Sequence, residues 1–309
     1  MVLFGPEALG QTAISGIILG SLFALMAMGL TLVYATIRIL NFSHGGLFTW
    51  GAFMVWWLVA PRVTATLGPD PYVSGLVLPF FFALPIALGI MLAMGMGIQQ
   101  GIIRPLLTGD RLRYLNIVFA TIALGLVLEG LSLLAFGPRT KNFVLIPRES
   151  WDIGANLYIT NEQVAQLAIA VLALALMHVF LKRHRHGLAM RAVSQDTEMA
   201  NLVGVRVRRI FLYTFAISTI LAALSGILLS NIIFISPAVG LLPMTKAFII
   251  IIFGGIGSIT GTVYASYVLG FIEAFTALFI GIAWALPVEF AFMVIVLALR
   301  PQGLFGFKE

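Results

Sequence analysis

Charged residues in this chain fall into short clusters separated by long charge-free blocks: 8–37, 39–61, 71–103, 163–181, 210–245 and 247–272. Each block approaches or exceeds the ~20 residues that carry a helix across a bilayer. Two further apolar stretches, 114–136 and 284–299, are interrupted by single acids, Glu129 and Glu289. The longest block is expected to turn near Ser236 and Pro237, where polarity and a fixed φ interrupt it. These blocks predict helices over 8–36, 45–60, 73–98, 115–136, 164–181, 209–231, 244–256, 259–281 and 284–299. The short 45–60 and 244–256 segments are read as either spanning or re-entrant. Met1 to Gly10 carries Glu7 and no cation, so the first block is expected to be a true span and not a cleaved signal peptide.

Nine segments of alternating direction put the loops 99–114 and 182–208 and the tail from Arg300 on one side. The cations follow that division. Thirteen lie on that side: Arg38, Arg104, Arg111, Arg113, Lys182, Arg183, Arg185, Arg191, Arg206, Arg208, Arg209, Arg300 and Lys308. Only Arg62, Arg139, Lys141 and Arg148 lie on the other. The positive-inside rule then expects an outside N-terminus and a cytoplasmic C-terminus.

Composition narrows the class further. With 61% hydrophobic and 10% charged residues over 309 positions, the chain lacks the charge to coat a water-soluble particle. The net charge of +6 does not make a nucleic-acid binder, because its cations sit on loops between spans. The absence of cysteine excludes disulfides, thiolate metal sites and a cysteine nucleophile. The fold class is all-α and polytopic, read as one transmembrane domain over 1–309.

In lipid, helices associate through close backbone approach at small residues. Gly16-x3-Gly20-x3-Ala24, Gly97-x3-Gly101 and Gly257-x3-Gly261-x3-Ala265 are seams of that kind, and they carry no expected chemistry. Prolines at 79, 85, 243 and 287 point to kinked or broken helices, which line cavities in many transporters.

Catalytic motifs are missing. The glycine-rich 254–262 segment has no lysine before its Thr and does not make a phosphate loop, and neither G-x-S-x-G nor H-E-x-x-H occurs. His184 and His186 belong to an interfacial basic cluster, Lys182 to His186. Glu129, Glu273, Glu289 and Lys246 are ionisable groups at membrane depth, costly unless paired or wet, and therefore functional candidates as well as candidate packing pairs. The polar run Asn41-Phe42-Ser43-His44-Gly45-Gly46 reads either as a turn at the membrane face or as a broken helix whose end faces a cavity. Asn41, Ser43, His44, Lys246, Glu129 and Glu273 are thus the candidates for a translocation path.

In the 182–208 loop, a short amphipathic helix is expected from Ser194, with Asp196 and Glu198 near its start and Gly204 as its stop. It reads as an interfacial helix or as a docking element for a cytoplasmic partner.

Taken together, these residues resemble the shorter permease type of bacterial ABC importers for branched-chain amino acids. The carriers are Asn41 to Gly45; Arg191-Ala192-Val193 with Asp196 and Glu198-x-Ala200-x3-Gly204; Lys246-Ala247-Phe248 leading to Gly254-Gly255-Ile256-Gly257-Ser258-Ile259-x-Gly261; and Arg300 to Gly306. The resemblance implies two permeases in a bacterial inner membrane, two cytoplasmic ATP-binding subunits and a periplasmic or extracellular solute-binding protein. ATP would be held by those subunits, with no cofactor in this chain. It also implies that Arg191, Asp196, Glu198, Ala200 and Gly204 couple the chain to the ATPase. Urea, short amides and carboxylic acids are substrates of the same family, so the solute stays open. A stand-alone ion-coupled transporter and an intramembrane enzyme using Glu129, Glu273 or His44 are the rival readings.

Overall fold

The computed structural model describes residues 5–60, 63–64, 68–69, 76–107, 113–152, 154 and 156–305. Arg62, Arg111, Gly306 and Lys308 of the expectations above lie outside them, as does the side chain of Arg113.

The described helices are α1 (Pro6–Ile37), α2 (His44–Val59), α3 (Phe80–Ile98), α4 (Arg104–Leu107), α5 (Arg113–Phe136), α6 (Asn161–Arg183), α7 (Arg185–Gln195), α8 (Thr197–Leu202), α9 (Val207–Leu229), α10 (Leu241–Gly254), α11 (Ile259–Phe279) and α12 (Ala285–Leu299). A π-turn at Gln99–Ile103 fuses α3 to α4. Two small antiparallel pairs, β1 (Val63–Thr64) with β2 (Gly68–Pro69) and β3 (Ser150–Asp152) with β4 (Tyr158–Thr160), lie in the loops. Among the described residues seven helical segments are long and apolar enough to cross a membrane, while α2 and α10 are shorter.

Two of the long helices form the centre. The apolar windows of α1 and α9 are 89% and 78% buried, against 28% or less for α3, α5, α6 and α12, which form the outer ring. Close approach explains the central pairing. Gly16 and Gly20 let α1 lie against Tyr267, Gly270 and Phe271 of α11, where a Cβ at Gly20 would come within 2.8 Å of the Tyr267 backbone. Buried hydroxyls then bridge the same helices, Thr31 to Thr262 at 2.8 Å and Ser21 to Tyr267 at 3.1 Å. The Gly97 and Gly101 seam meets no other element among the described residues.

The short helices are incomplete spans. Arg38 ends α1 in the left-handed region, at φ 62°, and its N–H closes on the Tyr34 carbonyl. The chain then folds back before α2 starts at His44, whose Nε2 lies 3.1 Å from the carbonyl of Met26, well inside α1. Residues 230–240 do the same from the opposite side, so that Gly240 abuts Gly45 where α10 begins. Thr49 joins the two ends: its hydroxyl accepts from the Gly240 N–H and donates to the Gly45 carbonyl, both at 3.1 Å. The second and seventh predicted segments are therefore half-helices entered by non-helical chain.

Loop contacts show which segments share an end of the bundle. Glu7 accepts from Asn156, Gln11 bonds Tyr158 through its amide nitrogen and oxygen, and Lys141 pairs with Ile235, which gathers those segments at one end. At the other end Arg38 donates to the Ser194 carbonyl, and Leu304 and Phe305 donate to Phe253 and Gly254. The Arg38 and Ser194 contact joins two of the segments that the cation count places together.

Two expectations are corrected. The third helix starts at Phe80 and not at 73, because Pro79 fixes its entry, and it runs on through the π-turn to Leu107. The helix expected from Ser194 is two helices broken at Asp196, whose side chain takes the N–H groups that open α8.

Candidate translocation cavity and coupling loop

A cavity of about 190 Å³ opens where the two half-helices begin. Phe42, Gly45, Gly46 and Thr49 supply one wall, Ile122, Leu126 and Glu129 of α5 a second, and Pro237, Gly240 and Met244 a third. Aromatic packing holds α2 to α5 beside it. Phe53 and Phe136 stack at 4.6 Å, and Trp50 donates to the Leu128 carbonyl at 2.8 Å. The His44 N–H closes on Asn41 and the Leu47 N–H on Ser43, so among the described residues those of Gly45 and Gly46 find no acceptor. Helix starts with free N–H groups carry partial positive charge, and they face a space that Glu129 also lines.

The candidates for the path separate into three places. Glu129 is exposed in the cavity wall. Asn41, Ser43 and His44 are fully buried behind it. There the Asn41 side-chain oxygen Oδ1 accepts from the Ser43 N–H at 3.1 Å and from the Ser43 hydroxyl at 2.6 Å, and Gly29 makes room for the imidazole. Phe42 alternates with them, turning outward to line the cavity and touch Phe248 at 5.1 Å. Lys246 and Glu273 sit on the far side of α10. Lys246 Nζ lies 2.5 Å from Glu273, 3.5 Å from Glu289 and 5.0 Å from the centre of the Phe23 ring. Glu273 and Glu289 are both buried, so this ionic triad joins α1, α10, α11 and α12 inside the bundle. The cavity-lining roles of Phe42, Gly46, Thr49 and Met244 were missed in the sequence, although the first two belong to the polar run already singled out.

At the cation-rich end, Asp196 ends α7 and caps α8, its carboxylate accepting from Glu198 and Met199 N–H groups at 2.9 Å each. Ala200 is buried and anchors α8. Gly204, at φ 88°, closes it: its N–H reaches Asn201 and that of Val205 reaches Ala200, the bonding of a Schellman stop. Arg191 and Glu198 are exposed. Beside them Met199, Leu202 and Val203 are 60–78% exposed, an apolar knob flanking a groove lined by Glu198, Asn201, Arg206 and Arg209. The knob was invisible in the sequence, where those residues read as the inside of a helix.

A bundle of apolar spans enclosing broken helices around a small, mainly apolar cavity that Thr49 and Glu129 also line, with a structured loop at one end, defines a polytopic membrane permease. The chain belongs to the family of permease components of branched-chain amino acid transport systems, which it matches over residues 12–298. It is 30% identical over 304 residues to the high-affinity branched-chain amino acid transport system permease protein LivH of Escherichia coli strain K12, covering 97% of this chain and 96% of that one. To the corresponding protein BraD of Pseudomonas aeruginosa it is 31% identical over the same shares. A shorter similarity, 30% over 111 residues, reaches the fructose import permease protein FrcC of Rhizobium meliloti and covers 34% of this chain. No solved structure matches.

Proposed function

We propose that the chain is one membrane subunit of an ABC importer that carries a branched-chain or other hydrophobic amino acid, or a related amide, urea or carboxylic acid, into a bacterial cytoplasm. The observation that carries this reading is the cavity at the meeting of two half-helix starts, in a chain that matches a permease family over residues 12–298. Cytoplasmic subunits bind and hydrolyse ATP, a second permease completes the passage, and a periplasmic or extracellular binding protein delivers the solute. The N-terminus faces outward, and the 182–208 loop and C-terminus face the cytoplasm, in line with the clustering of cations at that end.

Alternating access needs ATP and the loaded binding protein to favour opposite-facing states. Moving such an equilibrium from 1:99 to 99:1 takes about 5.5 kcal/mol of differential interaction. The coupling element is α7–α8: Glu198 and the Met199, Leu202 and Val203 knob dock on the ATPase, while Asp196, Ala200 and Gly204 hold α8 in shape. Arg191, on the exposed side of α7, contributes its charge to the same surface.

The reading is tested by reconstituting the chain in liposomes with and without its partners. Uptake that requires ATP and the ATP-binding subunits is expected. Uptake by the chain alone, tracking a proton or sodium gradient, would instead establish the ion-coupled reading.

Two variants probe the loop. Glu198→Arg should weaken co-purification of the ATP-binding subunit and ATP-driven uptake while leaving the permease folded in the membrane; unchanged values for both would remove Glu198 from the docking surface. Asp196→Ala should loosen α8 by about 1 kcal/mol through loss of its cap, read as faster proteolysis between Gln195 and Gly204.

A further inference from the structure

We propose that the outward face of α5 and the start of α10, centred on Glu129, is the seam against a second permease subunit. This placement rests on the importer reading above. Glu129 lies well inside a long apolar span, is exposed, and its carboxylate has no partner among the described residues. Lipid cannot cover it cheaply, since an acid at the centre of a spanning helix costs about 2.5–3.5 kcal/mol or more. The same face presents non-helical backbone at Pro237, Ala238 and Gly240, and irregular backbone is tolerated at membrane depth only against protein or in a water-filled space.

Around that polar centre the rim is apolar: Ile122 and Leu126 on α5, Leu241 and Leu242 on α10, all exposed. The remaining outer faces differ. On α12, Val294, Ile295 and Leu299 present hydrocarbon alone, as lipid requires; on α6, Val171, Leu172, Leu176 and Val179 do so, and the exposed His178 beside them stands about one turn from the basic helix end at Lys182 and Arg183. A binding protein or an ATPase works outside the bilayer and cannot reach the depth of Glu129. Only another integral membrane subunit can, and with its own wall opposite this one it would turn an open-sided cavity into an enclosed path.

The chain has no cysteine, so single thiols can be placed without background. Leu126→Cys and, as a control on α6, Leu172→Cys are introduced into the intact complex in native membranes and treated with a maleimide carrying a photoreactive group. The expected result is an adduct at Leu126→Cys whose second component is identified by mass spectrometry as a permease, with none above background at Leu172→Cys. An intact, co-purifying importer in which Leu126→Cys forms no adduct, and reacts with a lipid-dissolved maleimide as readily as Leu172→Cys, overturns the seam and leaves the importer reading standing. A chain that purifies without any second permease overturns both.

Discussion

Lys246→Met should destabilise the protein by about 3–5 kcal/mol, the cost of removing one partner from a buried charge pair. The lysine is the only cation within reach of two buried acids among the described residues, at 2.5 Å from Glu273 and 3.5 Å from Glu289. Without it, both carboxyl groups remain buried with no cation in reach among the described residues. Replacing both as well, in a Lys246→Met, Glu273→Gln, Glu289→Gln triple variant, should recover most of the loss, because buried amides cost far less to desolvate than buried charges. Thermal unfolding of the three proteins in one detergent is the measurement. A single variant that melts like the parent would show the triad to be energetically neutral, and a triple variant no better than the single would show that the shape of the lysine, packed on Phe23, matters more than its charge.

Gly240→Val should abolish transport while Gly97→Val does not. A Cβ at 240 runs into the carbonyl oxygen of Gly45, and one at 45 would come within 2.7 Å of the Gly240 carbonyl, so neither half-helix start can yield without moving the other. Overpacking a tight contact usually costs about 1–3 kcal/mol, and here the displaced atoms are backbone that also forms the cavity wall. The hydrogen bonds through Thr49 would be strained with it. A Cβ at Gly97 would meet nothing within 4 Å from beyond its own turn of helix among the described residues. ATP-driven uptake of the two variants at matched membrane levels decides the matter: near-parental transport by Gly240→Val would mean that the half-helix contact is not part of the path.

Much of the architecture was legible in the charge pattern. Membrane insertion depends on transfer free energy summed along a segment, so charge-free blocks locate the spans whatever their neighbours do. Of the segments that the cation count placed together, the end of the first span meets the long loop through Arg38 and Ser194, and the tail packs on the end of α10 at Phe253. Gly16 and Gly20 were recognisable as a packing seam because lipid offers helices little reason to associate other than close approach. The coupling loop was found in outline. Its break was not, since Asp196 suits both an early helix position and a cap, and only the direction of its carboxylate distinguishes them.

The identities of the ionisable groups were equally plain in the sequence; their partners were not. Glu129, Glu273 and Glu289 look alike as single acids in apolar blocks, yet one opens on a cavity and two share a buried lysine. A helix that is apolar all round has no polar stripe from which to read which face meets protein, lipid or a passage. Likewise, 45–60 and 244–256 could be counted as short, but that their starts meet at Gly45 and Gly240 depends on contacts between residues nearly two hundred positions apart. The chain's own sequence therefore determined that it crosses the membrane many times, where, and with which end toward its cations. Tertiary packing alone decided where the passage lies, because azimuth and depth around a uniformly apolar helix are set by its neighbours.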